Sequence, residues 1–242
     1  MVRAVVAVAL LAACSGESSP AKTVSPAATA ASPTTTVTPK FFPSEPGPIE
    51  PGSYVSSVFR PKVALRVEDG WAATSDSETP DVLAIQRASD STFPWLMIVR
   101  PREMFVPDRA FRTNRDVVAA GSTEPVPPAL GRWFERHPRI TLTPLAPFTI
   151  GGVVAERFDA TVAADAAYPS EACPDTACVL LCSLDAPENR YRAVQLVEGH
   201  MARLYLVRAR GETLMLLVEA PAAEFPTAVN SAEQLISTVR FP

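Results

Sequence analysis

The side chains of this 242-residue sequence that are best suited to chemistry are its four cysteines and two histidines. A thiolate acts as a nucleophile or metal ligand, and an imidazole transfers protons near neutral pH. One cysteine stands alone near the N-terminus, which suits covalent modification, whereas the other three are clustered, which suits a disulfide or a metal site. These residues are Cys14, Cys173, Cys178, Cys182, His137 and His200.

The residues before Cys14 have the pattern of a secretory signal peptide. Arg3 is the only charged side chain there, and an unbroken apolar run follows it and ends in the small residues Ala12 and Ala13. This run is about half as long as the roughly 20 residues that a membrane-spanning helix needs. We therefore expect residues 1–13 to direct export and to be removed.

The segment Leu11–Cys14, Leu-Ala-Ala-Cys, resembles the lipobox of bacterial lipoproteins. In that family the cysteine thiol receives a diacylglyceryl group, and the signal peptide is cut just before it. The new N-terminus can then receive another acyl chain such as palmitate. Two or more chains give stable anchoring. The resemblance implies that Cys14 is lipidated and that the protein is anchored on the extracytoplasmic face of the cell membrane. Export without lipidation is the alternative.

Composition separates a linker from a globular domain. Residues 15–51 are mostly Ser, Thr, Pro, Ala, Gly and Glu, which bury too little apolar surface to offset the entropy of ordering. The sequence therefore predicts that residues 14–51 are a lipidated cysteine followed by a disordered spacer, with Phe41 and Phe42 as a point where it can dock. The net charge is −4 and there is no Lys/Arg run, which argues against a nucleic-acid partner.

Residues 52–242 are predicted to form a single α+β domain with a largely antiparallel central sheet covered by two or three short helices. Alternation predicts strands, and the most confident pair is the hairpin 204–218, whose strands are apolar on both faces and therefore central. A second hairpin is expected around Gly151 and Gly152. Helical spacing predicts helices over 129–137 and 222–235, a closing strand over 237–241, and an irregular loop over 101–128.

The three clustered cysteines most economically form one disulfide. Cys173 and Cys178 flank a Pro-Asp turn, whereas Cys178 and Cys182 on one strand would lie about 13 Å apart, too far to bridge. We expect a Cys173–Cys178 disulfide with Cys182 as a buried thiol, and Cys173–Cys182 stays open as the alternative. The spacing has no nearby histidine and does not match a zinc or redox motif, so no metal or cofactor is expected.

No catalytic motif for a serine nucleophile, a phosphate loop or a zinc protease occurs in the sequence. His137 is predicted to complement a helix C-terminus as a cation, and His200 to lie in a surface turn. The remaining acid/base candidates lie on or beside predicted strands, and three tryptophans fit either core or pocket positions. These residues are Asp159, Glu198, Glu219, Trp71, Trp95 and Trp133.

The chain as a whole looks like an actinobacterial, mycobacterial-type extracytoplasmic lipoprotein. Its Asp-Gly-Trp turn at 69–71, Ile-Gly-Gly turn at 150–152 and closing segment 235–241 carry this likeness, and the layout is similar to Mog1/PsbP-like α-β-α domains. The resemblance implies an accessory or binding domain more than an enzyme. The anchor, the spacer, the single domain and the lack of a catalytic motif together predict a non-catalytic domain that binds a small apolar ligand, an envelope lipid or a partner protein, with a monomer as the default. An envelope-acting hydrolase with an unrecognised site and a structural envelope component are the alternatives.

Overall fold

The computed structural model describes residues 38–88, 96–184 and 193–242. Its helices are α1 (Asn114–Val118), α2 (Leu130–Glu135) and α3 (Phe225–Ser237). Its strands are β1 (Lys40–Phe41), β2 (Gly47–Pro48), β3 (Gly52–Val55), β4 (Ala64–Val67), β5 (Trp71–Glu78), β6 (Val82–Arg87), β7 (Leu96–Val99), β8 (Glu103–Phe105), β9 (Thr123–Pro125), β10 (Ile140–Ile150), β11 (Val153–Val162), β12 (Tyr168–Ser170), β13 (Cys173–Ser183), β14 (Ala193–Val197), β15 (His200–Ala209) and β16 (Glu212–Pro221).

These strands form three sheets. The central sheet has eight strands in the order β10-β11-β15-β16-β7-β6-β5-β2, all paired antiparallel. The N-terminal sheet has the order β1-β3-β4, in which β1 and β3 are parallel. The cysteine sheet has the order β12-β13-β8-β9, with β14 also paired to β13. The predicted α+β class with a largely antiparallel sheet is confirmed.

The central sheet is covered on both faces, as the apolar pattern of β15 and β16 predicts. Successive side chains on a strand point to opposite faces. Tyr205 and Val207 of β15 pack with α3 and the N-terminal sheet, whereas Leu204 and Leu206 pack with the cysteine sheet. The expectation that helices supply the covering layers holds for α3, but a sheet covers most of the other face.

Two-residue turns close both long hairpins of the central sheet. Gly151 and Gly152 join β10 to β11 with φ values of 58° and 81°. Arg210 and Gly211 join β15 to β16 with φ values of 53° and 85°. Positive φ at both central residues gives the turn a twist that matches the strands it connects. The hairpins predicted around Gly151–Gly152 and over 204–218 are confirmed.

Ordered structure begins before residue 52, so the predicted linker boundary at 51 is wrong. Strands β1 and β2 lie within the predicted spacer, and Phe42 and Ile49 are 6% and 2% exposed. The ring of Phe42 packs 5.3 Å from that of Tyr54. Burial of these apolar side chains offsets the cost of ordering the backbone around them. Phe41, in contrast, is 65% exposed.

Two other segments differ from the sequence-based expectation. Residues 101–128 are not an irregular loop, because they contain β8, α1 and β9, which are too short for a periodic pattern to reveal. The closing strand expected over 237–241 is absent from the described residues, since α3 extends to Ser237 and only Arg240 pairs, with Ala64. Among the described residues, no helix combines the length and the apolar character that crossing a bilayer requires.

Candidate functional site

The predicted disulfide is present between Cys173 and Cys178, whose Cα atoms are 6.3 Å apart. The alternative pairing with Cys182 is excluded, because Cys182 is a buried free thiol. The connection between the bonded residues is a bulge in β13 and not a turn between separate elements: Ser170 pairs with Cys173, and the next partner pair is Pro169 with Ala177. Burial raises the pKa of Cys182 to about 12, so this thiol is unreactive near neutral pH.

His137 is a buried structural residue. Its side chain is 3% exposed and packs against Trp133, and its Nδ1 accepts a 3.2 Å hydrogen bond from the backbone N–H of Arg139. Burial, and then the positive charge of Arg139, lower the pKa of His137 to about 4. The imidazole is therefore neutral at physiological pH, and the expectation that it complements the helix end as a cation is wrong.

His200 and Glu219 are the one pair of predicted acid/base candidates that the structure brings together among the described residues. His200 Nδ1 lies 3.4 Å from Glu219 Oε1, and their side chains are 13% and 6% exposed. The same carboxylate oxygen accepts a 3.0 Å hydrogen bond from the backbone N–H of Val197, at the end of β14. Glu219 therefore contacts residues on both sides of the turn between β14 and β15 and stabilises that turn. His200 is mostly buried and does not lie in an open surface turn.

The other two predicted carboxylates have separate roles. Asp159 accepts hydrogen bonds of 2.7 and 2.9 Å from Arg203, a bidentate arrangement that fixes both side chains. Arg203 also donates to Glu233 of α3 at 3.0 Å. Glu198 is exposed in the turn after β14. Neither carboxylate is placed beside a histidine in the described contacts, so the predicted acid/base set reduces to His200 and Glu219.

Trp71 and Trp133 are packing residues. Trp71 is 3% exposed in the core between the central sheet and α3. Trp133 packs on the cysteine-sheet side of the core, and its Nε1 donates a 2.6 Å hydrogen bond to Glu124. Trp95 and Cys14 lie outside the described residues.

A groove beside α2, named here the α2 groove, combines charged and apolar surface. Its wide end has a volume of about 430 Å³, and a narrower part of about 160 Å³ shares three of its residues and continues it along α2. The wide end is lined by Arg100, Pro101, Arg102, Val126, Pro127, Pro128, Arg208, Gly211, Glu212 and Thr213. The narrow part adds Ala129, Leu130, Gly131, Val154, Glu156, Leu206 and Val207.

A buried carboxylate positions two arginines at the wide end of the α2 groove. Asp81 Oδ1 accepts a 2.7 Å hydrogen bond from Arg100 Nε, and Asp81 Oδ2 accepts one of the same length from Arg102 Nε. The side chain of Asp81 is 7% exposed, those of Arg100 and Arg102 17% and 45%. A carboxylate that is removed from water is stable only when charged or polar groups pair with it. Because Asp81 is buried and bonded to both guanidinium groups, it holds Arg100 and Arg102 in fixed positions.

The third arginine of the groove comes from the central sheet. Arg208 lies on β15 opposite Thr213 and follows the same face of the strand as Leu206, toward α2. It is exposed, and no hydrogen bond or ion pair joins its side chain to the rest of the described chain. The lining of the wide end therefore holds three guanidinium groups and one carboxylate, that of Glu212.

Sequence reasoning pointed toward this site without identifying it. The sequence predicts a long loop over 101–128, and loops of that length are often functional or mobile. The two ends of this segment supply Pro101, Arg102, Val126, Pro127 and Pro128 to the groove. What joins them to Arg208 is the pairing of β7 with β16. That pairing is not encoded in any local pattern.

The described residues contain no group of three or more His, Cys, Asp or Glu side chains placed to hold a metal ion. No protein-family model matches the chain. No curated protein matches its sequence either.

Proposed function

We propose that this chain is a lipid-anchored extracytoplasmic protein that binds a small amphiphilic ligand in the α2 groove and does not act on it chemically. The observation that carries the proposal is the groove itself. Three arginines lie at its wide end, two of them held by Asp81. Apolar side chains such as Leu130 and Val154 continue from there along α2. Concave sites with an apolar wall and a few fixed polar groups are the usual form of small-molecule sites.

The residue types in the groove favour binding over catalysis. Neither His137 nor His200 is among its lining residues, and the described groove offers no histidine or cysteine as a base or nucleophile. Its two carboxylates, Glu156 and Glu212, are both exposed. Neither has a histidine or cysteine beside it in the groove lining with which it could share a proton-transfer or nucleophilic role.

Anchoring by Cys14 would hold this domain near membrane lipid, which supports an amphiphilic ligand. The resemblance to actinobacterial lipoproteins is part of the proposal and rests on residues 11–14. A relationship to Mog1/PsbP-like domains is a further part. It is supported by the order of strand, Asp-Gly-Trp turn, antiparallel sheet and closing helix α3. The cysteine sheet, which covers the face opposite α3, departs from a simple α-β-α arrangement.

A hydrolase is the second candidate, and the His200–Glu219 pair is the observation that favours it. The 3.4 Å separation would let Glu219 orient the imidazole toward a substrate. A His200→Ala variant that keeps the wild-type unfolding midpoint should lose activity on envelope esters if this site is catalytic. Unchanged activity in that variant would exclude it.

The groove is tested by native mass spectrometry of the full-length protein purified in a non-ionic detergent. We expect a bound lipid-sized mass in the wild type and its loss in Val154→Asp, which places a charge on an apolar wall. Val154 is 69% exposed, so the substitution leaves the core intact. The matched control is Val58→Asp, at a residue 47% exposed and not in the groove. Retention of the bound mass in Val154→Asp would contradict the proposed site.

The anchor is tested by fractionating cells that express the full-length chain. We expect Cys14→Ala to leave the membrane fraction, because the thiol that accepts the lipid is gone. Cys182→Ala should stay with the membrane, since that thiol is buried. A Cys14→Ala protein that remains membrane-bound at wild-type yield would overturn lipidation as the anchor.

A further inference from the structure

We infer that the wide end of the α2 groove binds a phosphate group, so that the ligand is a lipid-like molecule with a phosphomonoester headgroup. The inference rests on the proposed function, because it assigns the headgroup chemistry of the ligand held in the same groove. It is carried by three arginines and by the way in which Asp81 holds two of them.

The first step is the local charge. Asp81 is buried and neutralises one guanidinium, so the cluster of Asp81, Arg100 and Arg102 carries one net positive charge. Arg208 and Glu212 add one charge of each sign, so the wide end together with Asp81 keeps one net positive charge. This local excess of positive charge occurs on a chain whose net charge is −4. Positive charge gathered in a concave site attracts an anion to this end of the groove.

The second step is the availability of hydrogen-bond donors. Arg100 uses Nε and Nη2 on Asp81, whereas Arg102 uses Nε alone. The N–H groups on Nη1 and Nη2 of Arg102 make no hydrogen bond within the described chain, and its side chain is 45% exposed. The Nε atom of Arg102 is thus fixed by Asp81, while the N–H groups on its two Nη atoms stay accessible to a ligand. A fixed guanidinium loses less entropy when it binds an oxyanion than a mobile one does.

The third step distinguishes phosphate from carboxylate. A carboxylate has two oxygens in one plane, which one guanidinium satisfies in a bidentate pair. A phosphomonoester has three terminal oxygens pointing in different directions. Arg102 lies in the connection between β7 and β8, and Arg208 lies on β15, so the two donors reach the groove from different elements. Donors that converge from different elements match the three-dimensional acceptor better than the planar one.

The fourth step is the apolar continuation. The narrow part of the groove, beside Leu130 and Val154, begins at residues that also line the arginine end, including Pro128 and Arg208. A molecule whose phosphate lies at the wide end can therefore extend an apolar portion along α2. Free inorganic phosphate would contact only the wide end of the α2 groove and not its apolar narrow part.

The inference is tested by calorimetric titration of the full-length protein in maltoside micelles, which contain no phosphate. The probes are dihexanoyl phosphatidic acid, glycerol 3-phosphate, inorganic phosphate and dihexanoylglycerol. We expect phosphatidic acid to bind most tightly. Arg208→Gln and Arg102→Gln should each weaken it about tenfold or more, because each removes charge-assisted hydrogen bonds. The exposed Arg66 lies in the N-terminal sheet, and Arg66→Gln should leave binding unchanged.

Arg208 is exposed and without a partner in the described chain, so its substitution tests binding without disturbing the fold. Equal affinity for dihexanoylglycerol and phosphatidic acid, unaffected by Arg208→Gln, would overturn the phosphate assignment and leave the groove as a lipid site. Equal affinity for inorganic phosphate and phosphatidic acid would support the anion site but contradict the apolar part of the proposed function. Absence of binding by every probe would refute both.

Discussion

The phenol of Tyr205 donates a 2.7 Å hydrogen bond to Oε1 of Glu233, and so joins the centre of the main sheet to α3. Arg157 and Arg203 place Nη1 atoms 3.1 and 3.0 Å from the same oxygen. Burial raises the pKa of Glu233, but hydrogen bonds from Tyr205 and Arg203 and the two positive charges outweigh it, and the net pKa is lowered. The carboxylate is therefore charged and anchors a helix whose N-cap makes no side-chain hydrogen bond.

Replacing Tyr205 by Phe should lower the free energy of unfolding by about 1.5 kcal/mol, because a hydrogen bond to a charged acceptor is lost while Arg157 and Arg203 remain. Urea unfolding monitored by circular dichroism measures the effect. The matched control is Tyr54→Phe, whose hydroxyl donates at 2.7 Å to the neutral backbone oxygen of Glu50. The control should cost less, about 1 kcal/mol or below. Equal losses in both variants would contradict a special role for Glu233.

His137 should make stability depend on pH between about 4 and 6.5. Its pKa in the folded protein is lowered to about 4, so below pH 6.5 the unfolded chain binds a proton that the folded chain does not. Stability contributed by neutral His137 is therefore present above pH 6.5 and is lost as the pH falls toward 4. We expect about 2 kcal/mol less from this residue at pH 5 than at pH 7.

The variant His137→Gln isolates this contribution, because a glutamine oxygen can still accept from the Arg139 N–H but does not titrate in this range. Urea unfolding of both proteins at pH 5 and pH 7 gives the comparison, and carboxylates common to both cancel in the difference. A wild type and a variant with the same pH dependence would show that His137 is not the group responsible.

Gly151 and Gly152 offer a matched pair of tests within one turn. Both have positive φ, so alanine at either position strains the backbone by about 1–2 kcal/mol. A Cβ on Gly151 would also lie 2.7 Å from the ring of Phe241, whereas a Cβ on Gly152 would have no neighbour within 4 Å. We expect Gly151→Ala to lower the melting temperature more than Gly152→Ala, as differential scanning calorimetry would show. The reverse order would mean that the contact with Phe241 does not limit this position.

The elements that could be predicted from the sequence are those whose signal is local. The two-faced apolar pattern of residues 204–218 predicts the central hairpin, and the Gly151–Gly152 pair predicts the turn between β10 and β11. Helical spacing predicts α3 to within three residues at either end. Cysteine spacing combined with the local pattern favours the correct disulfide, because a predicted turn separates Cys173 from Cys178 whereas a predicted strand holds Cys178 and Cys182 too far apart.

The α2 groove could not be predicted because its parts are distant in sequence. Asp81 meets Arg100 and Arg102 only after β6 and β7 pair, and Arg208 joins them through the pairing of β7 with β16. The His200–Glu219 pair likewise depends on the register of β15 with β16. Arginine, proline and aspartate in a loop carry no periodicity from which such contacts can be inferred.

The cysteines allow the fold to be checked in intact protein. Alkylation with a maleimide should leave Cys182 unmodified in the folded chain and modify it in urea, because burial raises the pKa of its thiol to about 12 and excludes the reagent. Cys173 and Cys178 should react only after reduction, and mass spectrometry of peptides assigns each site.

Replacing both Cys173 and Cys178 by serine should lower the free energy of unfolding by about 2 kcal/mol, the loop-closure value for so short a ring. Labelling of all three cysteines without reductant would refute the disulfide, and rapid labelling of Cys182 alone in native protein would show that the cysteine sheet opens in solution.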